Sequence, residues 1–477
     1  MTLYRRLEQA QPIEEDWTTK RPAARVSPTS RRIRAWPVCV MALITVASAI
    51  APEAATANDG DSVWITSWTG SAQGPYPSGN AVAQPDLEFA FPNKVASDQT
   101  FRLIVHPDLW SPQMRIRFTN VFGNQPVTFD GVFVGLQKSG ATLVHNTNQP
   151  VHFSGEANLT LQPGQSTWSD PVSLPFVEDA GQEGPDLAGR KLSISFHTVG
   201  STGPMTWHAK ALTTSYVTNQ GAGSVGDAEG DSAFPTSTTS WYFIDAIDMR
   251  APHGTQLVVA LGDSITDGTS STINGDDRWP DVVARRLEAA YGDRVVLVNE
   301  GIGGNQIIGP AAYDPNNPVS GGPSVLQRLA RDVLSLSGVT AVIWHEGTND
   351  VSAGATADAI EAGISTVVQQ LRTAIPGIRI VGTTITSEVG AAGNGGTPAA
   401  AAERIALNQF IKSSGLFDAI ADFYNVTTDP ATGAMKAQYI PNTSIGGAGD
   451  HVHPNRAGYL AMGNAVDIRM LVAPRER

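Results

Sequence analysis

From residue 256 onward the chain alternates short apolar runs with amphipathic helical patterns, and this alternation limits the possible folds most strongly. Residues 256–261 are almost continuously apolar, as a strand buried on both faces must be. Residues 279–291 then place Val282, Val283, Leu287 and Ala290 along one side of a helix. Strand and helix patterns follow in turn at 295–298 and 324–336, at 339–344 and 357–374, and at 379–384 and 398–412. A fifth strand is predicted at 419–424 and a closing helix at 455–471. Strands that alternate with helices need crossover connections, so the class is α/β with a mainly parallel sheet covered on both faces.

Residues 60–250 follow a different rule. Residues 101–105, 114–118, 127–129, 132–134, 159–161 and 192–196 mix β-formers with alternating polar side chains. Turn residues such as Gly123-Asn124 and Pro163-Gly164 separate them. Short strands at this spacing predict a β-sandwich or jelly-roll-like domain. Residues 219–240 are rich in Gly, Ser, Thr and Asp and are predicted as a loop, and 241–247 as one more strand. The predicted boundary falls at 251–254, giving an accessory domain at 58–250 and a catalytic domain at 251–477.

The first 57 residues have the order of a secretory leader: a basic cluster at 30–34, an apolar run at 35–51, then Ala47-Ser48-Ala49 and Ala55-Thr56-Ala57. The expectation is export to a secreted or periplasmic location with cleavage near Ala57. An uncleaved anchor is the alternative, although 17 residues is at the short limit for ~30 Å of hydrocarbon. No stable membrane insertion is expected once the leader is removed. The only cysteine, Cys39, lies inside the leader. Beyond it a disulfide, a thiolate nucleophile and a cysteine-bound zinc are excluded. The formal net charge of −13 argues against a nucleic-acid partner, which needs clustered Lys and Arg.

Sites in such sheets form beyond the carboxyl ends of the strands, and the first strand ends in Gly262-Asp263-Ser264. A serine there is a candidate nucleophile if a base takes its proton, or else a helix N-cap. The segment is not Gly-x-Ser-x-Gly, so it does not match the nucleophile elbow of α/β-hydrolases. Asp450-His451-Val452-His453 supplies a histidine and a carboxylate three residues apart, near enough for the carboxylate to hold the ring's Nδ1–H. His453 is the candidate base and His451 its rival. The His-x-His pair also suits two metal ligands, but no third ligand is near in sequence, and no metal or other cofactor is predicted. Oxyanion donors have two sources: the glycines at 301–304, and Asn349 in Gly347-Thr348-Asn349-Asp350.

These four blocks, in this order, resemble the SGNH hydrolases, also called GDSL esterases and lipases. The resemblance spans about residues 255–470. It implies a flavodoxin-like three-layer α/β/α domain and ester hydrolysis through an acyl-serine. By it, Ser264 is the nucleophile, His453 the base and Asp450 its orienting carboxylate. The Ser264 N–H, the Gly304 N–H and the Asn349 side chain form the oxyanion hole, with Gly303 the alternative to Gly304. Residues 115–123 and 206–209 are similar to a β-domain that precedes this hydrolase in some secreted bacterial acetyl and aryl esterases. That implies a short acyl group, such as acetyl on a polysaccharide, as the ester partner. A long-chain lipase or thioesterase, and a non-catalytic carbohydrate-binding protein, are the alternatives. Trp64, Trp68, Trp110 and Trp207 are candidates for stacking on sugar rings or for the core.

Overall fold

The structure is a computed structural model that describes residues 62–79, 90–178, 187–440 and 449–473. The expected leader, with Cys39, lies outside the described residues. Among the described residues no helix is long and apolar enough to cross a membrane.

The strand-rich region folds into antiparallel sheets. One runs in the order Ser62–Thr69, Ile244–Pro252, Gln113–Thr119, Val172–Ser173. A larger one centres on Ser97–Val105, Leu192–Ser201 and Val127–Ser139. Alternation along each strand turns the apolar side chains to one face. Phe118 of the first sheet meets Phe129 and Phe196 of the second at ring distances of 5.1 and 5.3 Å. The two runs predicted at 127–129 and 132–134 are one strand, because Gly131 takes a positive φ of 50° inside it without ending the pairing. The run predicted at 241–247 is instead broken at Phe243, whose φ is 59°.

The second half contains a five-stranded sheet in which every pairing is parallel. Its order is Val295–Gly301, Gln256–Gly262, Val339–His345, Arg379–Thr383, Ala419–Ala421. Strand Gln256–Gly262, paired on both edges, buries alternate side chains in two cores. Val258 and Ala260 join Trp279, Val283 and Leu287 of one helix and Tyr459 and Met462 of another. Leu257, Val259 and Leu261 join the core that holds Ile360, Ile364 and Leu407.

Three predicted elements end differently. The fifth strand stops at Ala421, because Asp422 accepts the Asn425 N–H and starts a helix, Phe423–Thr427. The helix predicted at 324–336 is α-helical over Val325–Leu329 and widens to a π-turn at Ala330–Leu334, where Arg328 and Arg331 both bind Asp332. The closing helix ends at Ala465, where Arg286 donates to the Gly463 and Val466 carbonyls; Asp467 then caps a separate turn, Ile468–Leu471.

The described residues form one compact unit. Strand Ile244–Pro252 runs past residue 251 and stays paired with Ser62–Thr69 up to Pro252. Ile65 belongs to the same core as Val259 and Val339. Ile65 lies on Gly338, where a Cβ would come within 2.4 Å of its Cδ1. Polar bonds close the same seam: the Thr66 N–H donates to the Ser337 carbonyl at 3.0 Å, and the Ser337 hydroxyl to Asp248 at 2.8 Å. Ile65→Ala is expected to destabilise the whole chain by about 2–5 kcal/mol in chemical denaturation. A loss below about 0.5 kcal/mol would mean that this seam carries no packing energy.

Candidate active site

Strand Gln256–Gly262 ends at Gly262, and the chain turns directly into a short helix, Ser264–Asp267. Asp263 caps this turn by accepting the Ile265 N–H at 2.9 Å. Burial pushes the Asp263 carboxyl up to about 7. Gly262 has no room for a side chain, since a Cβ would lie 2.0 Å from Thr266 Oγ1 and 2.6 Å from the His345 carbonyl. Ser264 is thereby fixed just beyond the carboxyl edge of the sheet, and it is 6% exposed.

The ring that meets Ser264 is His453, with Nε2 2.7 Å from the serine Oγ. Asp450 Oδ2 lies 2.5 Å from His453 Nδ1. Asp450 Oδ1 accepts the N–H groups of Val452 and His453, each at 2.9 Å, so the tight loop itself orients the carboxylate. Burial raises the Asp450 carboxyl, but the hydrogen bonds and charge of His453 outweigh it and hold the group below its usual range. An ionised carboxylate only accepts, so Nδ1 carries the ring proton and the Nε2 lone pair faces the Ser264 hydroxyl. His451 points elsewhere. It has a φ of 61° and lies against Gly390, where a Cβ would be 3.3 Å from its Nδ1.

The loop after Val295–Gly301 and the turn after Val339–His345 reach the same place through a chain of bonds. Asp267, at the end of the Ser264 turn, accepts the Gly303 N–H at 3.0 Å. Asn349, in the short helix Thr348–Ser352, donates one Nδ2 hydrogen to the Asn305 carbonyl at 2.9 Å. Gly304 is held between these two anchors, with a φ of 82° that favours glycine. Asp350 accepts the Ile307 and Ile308 N–H groups and fixes the rest of the loop. Among the described residues the N–H groups of Ser264 and Gly304 have no hydrogen-bond partner, whereas that of Gly303 is taken. The arrangement therefore offers a hydroxyl with a base beside it, and free amide donors on the loop next to it.

Some contributors were not singled out from the sequence. Asp267 lies three residues beyond Ser264 and is 1% exposed. Gln73, His208 and Lys210 come from the strand-rich region and are also buried. The likeness of Thr206-Trp207-His208-Ala209 to a β-domain carries no signal of a place beside Ser264. Of the tryptophans, Trp68 and Trp207 are core residues, and Trp64 lies under the guanidinium groups of Arg115 and Arg250. Trp110 packs edge-on against Phe176. A cavity of about 220 Å³ lies behind the Ser264 turn, among Trp110, His208, Asp267, Arg278 and Gly301; neither Ser264 nor His453 lines it. Among the described residues no cluster of His, Cys, Asp and Glu is arranged to hold a metal ion.

Residues 260–461 match the model of the GDSL-like lipase/acylhydrolase family. No curated protein matches the chain. Solved structures that resemble it include a GDSL-like lipase from Bacteroides thetaiotaomicron VPI-5482, 18% identical over 45% of this chain and 88% of that one, with a TM-score of 0.33. A carbohydrate acetylesterase family member from Sinorhizobium meliloti is 20% identical over 45% of this chain and 99% of that one, with a TM-score of 0.32. A member of the lipolytic G-D-S-L family from Veillonella parvula DSM 2008 is 16% identical over 44% and 95%, with a TM-score of 0.32.

The Ser264 turn packs directly on the neighbouring strand end. A Cβ on Gly301 would lie 2.2 Å from the Asp267 N and 2.7 Å from its Cα, so the turn would have to move. Gly301→Ala is expected to cost about 1–3 kcal/mol and to weaken the Ser264–His453 contact. The checks are a thermal melt and the imidazole NMR signals of His453; no change in either contradicts this packing.

Proposed function

With residues 260–461 a GDSL-like lipase/acylhydrolase domain and the chain a carboxylic ester hydrolase, we propose that it acts through an acyl-serine intermediate on Ser264. The observation that carries this reading is the contact of Ser264 Oγ with His453 Nε2 at 2.7 Å, with Asp450 on the far side of the ring. His453 takes the hydroxyl proton as Oγ adds to the ester carbonyl, and Asp450 stabilises the imidazolium that forms. The tetrahedral oxyanion is held by the Ser264 N–H, the Gly304 N–H and the second Nδ2 hydrogen of Asn349. His453 then gives its proton to the leaving alcohol, and the acyl-enzyme is hydrolysed by water along the same route.

The domain that carries this chemistry is read as a flavodoxin-like three-layer α/β/α unit, with 58–250 as a β-rich accessory domain. The preferred substrate is read as a short acyl ester, such as acetyl on a polysaccharide. What supports this is the likeness of residues 115–123 and 206–209 to the β-domain that precedes the hydrolase in some secreted bacterial acetyl and aryl esterases. Export of the chain rests on the leader pattern of its first 57 residues.

Ser264→Ala should lower hydrolysis of p-nitrophenyl acetate by at least about 10⁴-fold while the melting temperature is kept. Activity close to the parent would overturn the nucleophile assignment. Across a series of p-nitrophenyl esters, the rate should peak at acetyl or butyryl. A peak beyond about eight carbons would favour the lipase reading, in line with the ~0.8 kcal/mol that each buried CH₂ contributes.

A further inference from the structure

We propose that Gln73, a residue of the strand-rich region, aims the Gly304 N–H at the reacting oxygen and is a positioning residue for the hydrolysis; this rests on the serine-esterase reading above. Gln73 is 1% exposed. Its Nε2 donates to the Gly303 carbonyl at 3.3 Å and also to the Ser320 carbonyl. Its Oε1 accepts the Ala209 N–H at 3.3 Å. With two carbonyls on one side and an N–H on the other, only this orientation of the amide satisfies all three partners.

The Gly303 carbonyl and the Gly304 N–H belong to one peptide unit. That bond is not among the cis peptides of the described residues, so it is trans, and its C=O and N–H point in opposite directions. Holding the carbonyl on Gln73 therefore turns the N–H the other way, where it has no partner among the described residues. The need for such a hold follows from the sequence. With glycine on both sides, the peptide can flip at little conformational cost. A flipped unit would present a carbonyl to a developing negative charge, the reverse of what acyl transfer requires.

The preceding peptide unit, between Ile302 and Gly303, is held as well. The Gly303 N–H donates to Asp267 Oδ2, and His208 Nε2 lies 3.2 Å from Asp267 Oδ1. His208 Nδ1 in turn donates to the Ser71 carbonyl at 2.8 Å. The Lys210 ammonium lies 2.9 Å from where a Cβ on Gly303 would be. Gln73, His208 and Lys210 all come from the strand-rich region, so that region supplies the clamp on the oxyanion loop.

The test is made on the full chain with Gln73→Glu and Gln73→Leu. The first keeps the shape and the acceptor for Ala209 but removes the donor; the second removes the donor without adding charge, should the first fail to fold. In the folded variants kcat for p-nitrophenyl acetate is expected to fall about 10²-fold, with KM within about threefold. Affinity for a boronic acid, which forms a tetrahedral adduct on serine, should fall in parallel, a change that general loosening of the fold would not produce. A folded variant with kcat within twofold of the parent, or a loss confined to KM, overturns the proposal. Ser264→Ala, run alongside, separates the two failures. If it stays active, the esterase reading fails; if it is inactive while Gln73 variants are normal, only the role of Gln73 fails.

Discussion

The constraint on which everything else depends is the parallel pairing of strand Gln256–Gly262 on both of its edges. A strand paired on both sides cannot shift or twist alone, and parallel neighbours send their carboxyl ends to the same edge. Gly262, Gly301 and His345 end in register there, so the segments that follow must meet. The Ser264 turn, the glycine loop and the Asn349 turn are three consequences of that one register. Arg328 reinforces it: fully buried, it donates to the carbonyls of both Gly262 and Glu300 and to Asn305 Oδ1, tying two strand ends to the glycine loop.

The strand-rich region packs directly against this half of the chain. Its core runs on into that of the parallel sheet, and its polar side chains end on the loops that carry the site. Ser71 donates to Glu300 at 2.6 Å, and burial together with the Asp332 charge pushes the Glu300 carboxyl up to about 8. Arg331 donates to the Ala72 carbonyl, one residue from Gln73. Buried polar networks of this kind are costly when half satisfied, which favours a single arrangement of the seam. The precision of the glycine loop thus depends on residues more than 200 positions away in sequence, such as Gln73 opposite Gly303.

The sequence was most legible where the period was strong and local. The helices Trp279–Tyr291 and Ala357–Ala374 fall where their spacing placed them, because one clean apolar stripe faces one core. Ser264, Asp450 and His453 lie in short blocks whose spacing is local, and His453, preferred over its rival His451 in the sequence, is the ring that meets Ser264. Gly303 and Gly304 could not be separated by sequence, since the difference lies in which N–H Asp267 already occupies. The closing helix ends earlier than its spacing suggests because Arg286, far along the chain, takes over the carbonyls at its end. Gln73, His208 and Lys210 had no local signal at all, because their roles exist only across the seam.

The central claim is that Ser264 carries the acyl group during turnover. It is tested most directly by mass spectrometry of the chain quenched in acid within milliseconds of mixing with p-nitrophenyl butyrate, followed by proteolysis. The account predicts one butyryl increment, located on the peptide that contains Ser264 and absent after full turnover. Rapid hydrolysis with no acylated species, or an increment on any other residue, would contradict it.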